Sequence, residues 1–420
     1  MTKIPKRTLT LLFFTVFIDL VGFGMIIPLI PYLGESLSDS SFKAGLLMSI
    51  YSLMQFLFNP FWGQLSDKFG RRPILLISLI GASVSHLGFA FSTSFWMMFS
   101  ARLFAGVFAA NISAAMAAVA DISDESERSK RMGLIGAAFG LGFTIGPFFG
   151  GIIGSQGALI STEAPFGVWT SALVASLICF LNFIFAYFYL PETNPNILKK
   201  VTGKIFNSDL SPKKSSQRKV NSIPEKFLLI FEYFKKSEIR ALLITYGLNA
   251  LSMALIEVSL FLFVKDRFGL GLKEASYGFA YTGSVLVFTQ GYLIRKLLPK
   301  FGERILIQYG LFMFALGVFG VAITYNFWLL ILPVTILSVA QGLLSPSITG
   351  SLSLKENADH QGRLMGVTQS LSALGRILGP LIAGLIYTQA HQVEPFYLSA
   401  ILTLFSLTMF THRKKETKNI

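Results

Sequence analysis

A chain of 420 residues that is 53% hydrophobic and only 14% charged departs from soluble proteins, in which about 25% of residues are charged. Its net charge of +14 lies between apolar blocks and not on a basic face interleaved with aromatics, which argues against nucleic acid as a partner. One cysteine, Cys179, excludes a disulfide within the chain, and with four histidines no Cys/His metal cluster is expected.

Taken in chain order, the apolar blocks give twelve spans of about the ~20 residues a helix needs to cross the bilayer core. Six fall near 8–33, 42–64, 73–92, 95–118, 131–154 and 166–190, and six near 239–264, 273–297, 303–323, 327–350, 362–388 and 393–411. Lys3, Lys6 and Arg7 ahead of the first block resemble the start of a signal peptide. The block runs on from Leu11 to Leu33 without a small-residue cleavage site, so it reads as a retained span. The only long hydrophilic stretch, 191–238, holds Lys199, Lys200, Lys204, Lys213, Lys214, Arg218, Lys219 and Lys226. It reads as a cytosolic, partly disordered linker with an amphipathic helix near 227–234.

The expected division is therefore 1–190, linker 191–238 and 239–420. The expected fold is an all-α membrane protein, with twelve transmembrane helices in two pseudo-symmetric six-helix bundles. Two echoes support the symmetry: Phe69-Gly70-Arg71-Arg72 against Phe301-Gly302-Glu303-Arg304, and Gly146-Pro147 against Gly379-Pro380. Basic residues after spans two, four, eight and ten and in the tail share one side if both termini are cytosolic. Lys265 and Lys273 are the exception, partly offset by Asp266 and Glu274.

Ionisable groups inside spans cost several kcal/mol unless paired or hydrated, which makes each a functional candidate. Four are Asp19, Arg102, Glu257 and Arg376. Asp19 precedes Gly22, Gly24, Pro28 and Pro31, so a carboxylate stands beside a deformable stretch. A carboxylate withdrawn from water favours its neutral form, and such a group can take and release a proton as access changes. Asn249, Met253 and Glu257 recur every four residues and share a helix face. Tyr51 with Gln55, and Gln369, Ser372 and Arg376, do the same; Asn111 and Gln341 are further polar residues within spans. The turn Gly63–Pro73 carries Asp67, Gly70, Arg71 and Arg72. Topology accounts for the basic turn but not for Asp67, which reads as the acid of a latch. Asp121 and Arg128 read as a second latch. Gly142, Gly146, Pro147, Gly150 and Gly151 form a stripe of small residues suited to close helix packing.

Together these segments resemble the major facilitator superfamily, and within it the twelve-span drug:proton antiporters. The run Gly63–Pro73 is similar to the superfamily's signature loop, Arg102–Gly106 to its span-four motif, Gly142–Gly151 to the antiporter motif and Asp19–Pro31 to the span-one aspartate motif. Tyr51–Gln55, Leu76–Ser83, Phe139–Gly142 and Arg267–Gly269 resemble the tetracycline-efflux branch. The resemblance implies proton coupling through Asp19 and Arg102 and substrate contact at Gln55. This chain departs from that branch in three places. Ser85, followed by His86, stands where the branch has an acid in span three, Ile305–Gly320 holds no acid, and an apolar residue near Leu286 replaces a histidine.

The expected function is proton-coupled efflux of small amphipathic or cationic organic molecules. Asp19, Arg102 and Glu257 would serve coupling, and Tyr51, Gln55, Asn111, Asn249, Met253, Gln341 and Arg376 the substrate. The alternative is a metabolite or nutrient symporter or facilitator of the same fold, and a third is a receptor that no longer transports. No nucleophile–base pairing, HExxH or phosphate loop is present, so no enzyme and no cofactor are expected. The partners expected are substrate, protons and membrane lipid, for a monomer in a bacterial inner membrane.

Overall fold

The computed structural model describes residues 7–33, 41–109, 111–123, 125–195, 197–198, 230–355 and 361–412. Among these the regular elements are helices: α1 (Thr8–Ile26), α2 (Leu29–Tyr32), α3 (Ser41–Phe69), α4 (Arg71–Ala90), α5 (Phe95–Phe108), α6 (Asn111–Asp121), α7 (Glu125–Gly157), α8 (Thr170–Tyr189), α9 (Ser237–Phe268), α10 (Leu272–Phe288), α11 (Ile294–Ile323), α12 (Phe327–Leu354), α13 (Gln361–Gln389) and α14 (Glu394–His412). Helix is what such a sequence must form, because a segment in lipid has no water to satisfy its backbone and only internal hydrogen bonds remain.

Among the described residues, ten helical runs are long and apolar enough to cross a membrane. One of them, Leu272–Ile323, is 52 residues long and turns at Gly302, whose φ of 72° breaks the helix. It therefore holds both the eighth and the ninth expected spans. The fifth lies in α7. Large side chains such as Trp96, Phe188, Leu332 and Phe405 are exposed, as a lipid-facing surface requires and as a soluble protein would not tolerate.

Three expected spans are interrupted. The first breaks at Ile27–Pro28, between α1 and α2. The fourth stops at Phe108, and its freed carbonyls find side-chain donors: Trp62 Nε1 donates to Val107 O at 2.6 Å, and the Ser78 hydroxyl donates to Phe108 O. The eighth passes through a π-helical segment, Thr289–Leu293, a rare, wide turn.

By its contacts the chain divides into two compact units, 1–29 with 50–223 and 30–49 with 224–420. In the first, α1 runs against α7 and α8 around a core that includes Leu12, Val16, Leu20, Leu79, Ala115, Ala118 and Ala138. The glycine stripe expected in α7 explains how closely α1 approaches. A methyl group placed on Gly146 would stand 2.7 Å from Gly24 Cα and 2.8 Å from Val21 O, and one on Gly142 would stand 2.6 Å from Leu20 Cβ. Gly150 backs onto the Met25 backbone in the same way, and Gly151 is buried.

The second unit repeats the device. Gly375 backs onto Ala250 and Leu251, and Gly379 onto Ala254 and Leu255, so α13 stands to α9 as α7 stands to α1. Residues 30–49, which chain order assigns to the first half, pack within this unit. Gly45 backs onto Pro380 and Gly384 onto Ser41; Phe42 N donates to Thr388 Oγ1 at 3.2 Å, and Tyr32 Oη to Leu270 O at 3.1 Å.

Candidate functional site: charges within two helical units

In the first unit Arg102 is 1% exposed. Its guanidinium lies over Tyr51, 4.7 Å from the ring centroid, and over Phe23 at 5.3 Å. Those two rings stack on each other at 4.3 Å. Gly106, one turn beyond Arg102, lets α5 reach the backbone of Tyr51, which delivers the cation to the aromatic faces. A desolvated guanidinium on a ring gains about 2 kcal/mol. His86 is buried on α4, within electrostatic reach of Arg102. The residue that follows Ser85 is thus a neighbour of the buried cation. Ser85 Oγ donates to Gly81 O at 2.7 Å and closes on its own helix.

Asp19 is 8% exposed and receives the Cys179 thiol, 3.9 Å from Oδ1. One turn along on the same two helices, Asn182 Nδ2 donates to Thr15 O at 2.8 Å. Asp19 therefore sits where α1 meets α8. Gln55 is buried one turn beyond Tyr51. Asn111 lies in α6, and its side chain is outside the described residues.

In the second unit Asn249 Nδ2 donates to Gln341 Oε1 at 3.4 Å, which joins two expected contact residues of α9 and α12. Glu257 lies two turns further along α9, within electrostatic reach of Arg376 on α13. Arg376 Nη1 donates to Ser372 Oγ at 2.8 Å, and Tyr246 shares a hydrogen bond with Ser372. Glu257, Arg376, Ser372 and Tyr246 form one polar group where glycines hold α9 and α13 together. Tyr246 escaped the sequence reading although its spacing carried a signal: 246, 249, 253 and 257 follow a single helix stripe. Met253 falls on that stripe.

A third cluster gathers at the ends of α3, α4, α6 and α8. Arg71 is 8% exposed, and its Nη1 lies 2.7 Å from Asp67 Oδ1 and 2.7 Å from Ser66 Oγ. Its Nε lies 2.9 Å from Asp121 Oδ2. Asp67 thus pairs with a cation of the basic turn. Asp121, expected to pair with Arg128, takes Arg71; the Arg128 side chain lies outside the described residues.

Glu192, within the stretch expected to be linker, belongs to this cluster. Its Oε1 accepts from Arg71 N at 2.9 Å and its Oε2 from Arg72 N at 3.1 Å. A carboxylate at a helix N-terminus satisfies orphan N–H groups and complements the helix dipole. Gly70, at φ 109°, makes room for it, since a side chain there would strike the carboxylate. Arg72 donates to Tyr187 O. Gly63 has open space around it, so packing does not require glycine at that position.

Comparison with known proteins agrees with this architecture. The family model described as Major Facilitator Superfamily matches residues 12–323 and 296–420. The chain is 30% identical over 98% of its length, and 98% of the relative's, to the tetracycline resistance protein, class H, of Pasteurella multocida. It is 28% identical to multidrug resistance protein 2 of Bacillus subtilis (strain 168), over 99% of this chain and 96% of that one. Among solved structures, the human organic anion transporter MFSD10 (TETRAN) matches with a TM-score of 0.70 and 26% identity, covering 97% of this chain and 100% of that chain. This protein is an integral, multi-pass membrane protein and belongs to the Major Facilitator Superfamily, in the branch that includes the tetracycline resistance proteins.

Proposed function

We propose that this protein is a secondary active transporter that exports small amphipathic or cationic organic molecules in exchange for protons. The observation that carries the reading is end-to-end similarity to a tetracycline resistance protein and a multidrug resistance protein. The placement is a bacterial inner membrane with both termini in the cytosol, in accord with the loop charge. The six-helix halves are 1–190 and 239–420, joined by a cytosolic linker at 191–238, and the working unit is a monomer.

The charges within the spans supply the coupling. A carboxylate is neutralised either by a proton or by a bound cation, and when it holds one at a time the two must alternate. Asp19 and Glu257 are placed in this role. Arg102 and Arg376 set the local field, while Gln55, Tyr51, Asn249 and Gln341 offer polar contacts to substrate. Ser85 and His86, together with the acid-free run Ile305–Gly320, remove two acids of the resembling branch and favour a wider or different substrate range than tetracycline. A second reading, uptake or export of metabolites bearing an acidic group, is favoured by Arg376 and by the organic anion transporter among the structural relatives.

The test is dye efflux in energised everted vesicles, with the proton gradient imposed in each direction. Asp19→Asn is expected to lower proton-driven flux at least tenfold, about 1.4 kcal/mol in the rate-limiting barrier; a mutant as fast as wild type would remove Asp19 from the coupling. Arg102→Lys retains the charge but not the plane that lies on Tyr51 and Phe23, so it is expected to lose about as much. Full activity of the lysine variant would mean that charge alone matters at this position.

A further inference from the structure

The turn that ends the sixth span and opens the linker is built into the latch. Glu192 uses both carboxylate oxygens on the first two backbone N–H groups of α4, and its Oε1 also accepts from Thr193 N at 2.9 Å and Asn194 N at 2.8 Å. Asn194 Nδ2 then donates to Ser66 O at 3.3 Å and Asp67 O at 3.0 Å, the last carbonyls of α3. One short turn thus caps the start of α4 and the end of α3, the two helix ends that meet at Gly70. Both partners of the turn bracket Arg71: Glu192 holds its backbone, and Asn194 holds the backbone of Ser66 and Asp67, whose side chains take its guanidinium.

From this backbone position Arg71 reaches Asp121 through Nε at 2.9 Å. Glu192 is half-buried, and both its carboxylate oxygens accept from backbone N–H groups. Thr193 and Asn194 are 1% and 2% exposed, so the turn is held on the unit and not loose in the linker.

We propose that Glu192 is a positioning residue of the transport cycle: with Asn194 it fixes the Gly70–Arg71 turn so that Arg71 bridges Asp67 and Asp121, and it ties the start of the inter-domain linker to that bridge. The latch therefore extends beyond the signature loop to the segment by which the two halves of the chain are connected. The functional half of this inference rests on the efflux reading above; the structural half does not.

The experiment is hydrogen–deuterium exchange on the full-length protein in detergent, paired with dye efflux in vesicles, for wild type, Glu192→Gln, Glu192→Asp, Asn194→Ala and Asp121→Asn. Glu192→Gln is expected to speed exchange at least tenfold in a peptide spanning 69–74. It is also expected to speed exchange in the peptide around Asp121, 118–123, because Arg71 is no longer held on that carboxylate. A purely local cap would move the first peptide and leave the second unchanged, and that result would overturn the proposal. Efflux by Glu192→Gln is expected to show a turnover reduced at least fivefold with KM unchanged. Glu192→Asp is expected to restore part of it, and Glu192→Gln is expected to add no further loss in an Asp121→Asn background. Additive losses in that double mutant would overturn the proposal, as would normal turnover in Glu192→Gln. If wild type itself moves no dye, the efflux reading fails, and the exchange of 118–123 in Glu192→Gln and Asn194→Ala alone decides the positioning claim.

Discussion

Gly146→Val is expected to leave almost no folded protein in the membrane, seen as loss of the monodisperse peak on size-exclusion of detergent extracts. The first added carbon would lie 2.7 Å from Gly24 Cα, 2.8 Å from Val21 O and 3.0 Å from Gly24 C. All three are backbone atoms of α1, and none can swing aside as a side-chain end could. Overpacking against side chains costs about 1–3 kcal/mol, and a clash between two buried backbones lies at or beyond the top of that range. Relief would come only from parting α1 and α7, which would carry Asp19 with α1. Gly63→Val is the control: nothing lies within 4 Å of its added carbon, and the expected change is within about 0.5 kcal/mol. Equal behaviour of the two variants would contradict the account of the glycine stripe.

The second large effect is expected at Arg71. Arg71→Ala removes the cation shared by two carboxylates, and the two arms differ in worth. Asp67 has a side chain 37% exposed, and an ion pair open to water is worth about 0–1 kcal/mol. Asp121, at 17%, is left with little water to replace its partner, and stranding it costs about 2 kcal/mol, below the 3–5 kcal/mol of a fully buried pair. A double-mutant cycle on thermal unfolding is therefore expected to give Arg71–Asp121 a coupling of about 1–2 kcal/mol and Arg71–Asp67 less than about 0.5 kcal/mol. Transport by Arg71→Ala is expected to fall tenfold or more. Arg71→Lys is expected to rescue little, since one ammonium cannot present Nε to one acid and Nη1 to another. A cycle in which the Asp67 arm dominates would mean that exposure does not govern this latch.

What could be read from sequence, and what could not, follows from the range of the forces involved. The spans were legible because hydropathy is a property of each segment alone. The glycine stripe was legible as a demand for close approach, but its partner was not; only the fold shows α1 lying in it. The latch was half legible. Asp67 and Arg71 are neighbours on adjoining helix ends and so were readable together, whereas the match of Arg71 with Asp121 joins residues fifty positions apart. Glu192 was missed because an acid after the last apolar residue of a span looks like solvent-facing linker, and no local pattern shows that another helix begins beside it. The breaks at Ile27 and Ala109 differ in how far sequence shows them. Pro28 hinted at the first, but the second has no proline or glycine at the break itself. It depends on Trp62 and Ser78, which stand on other helices.

That second break has a mechanical meaning. In an unbroken helix, flexing tears a hydrogen bond open in a medium that offers no replacement. Between α5 and α6 the tear is already mended from the side, by an indole and a hydroxyl belonging to neighbouring helices. The stretch beyond the break carries Asp121 and the stretch before it carries Arg102, so the buried cation and the acid that takes Arg71 stand on separate helical segments and not on one continuous rod.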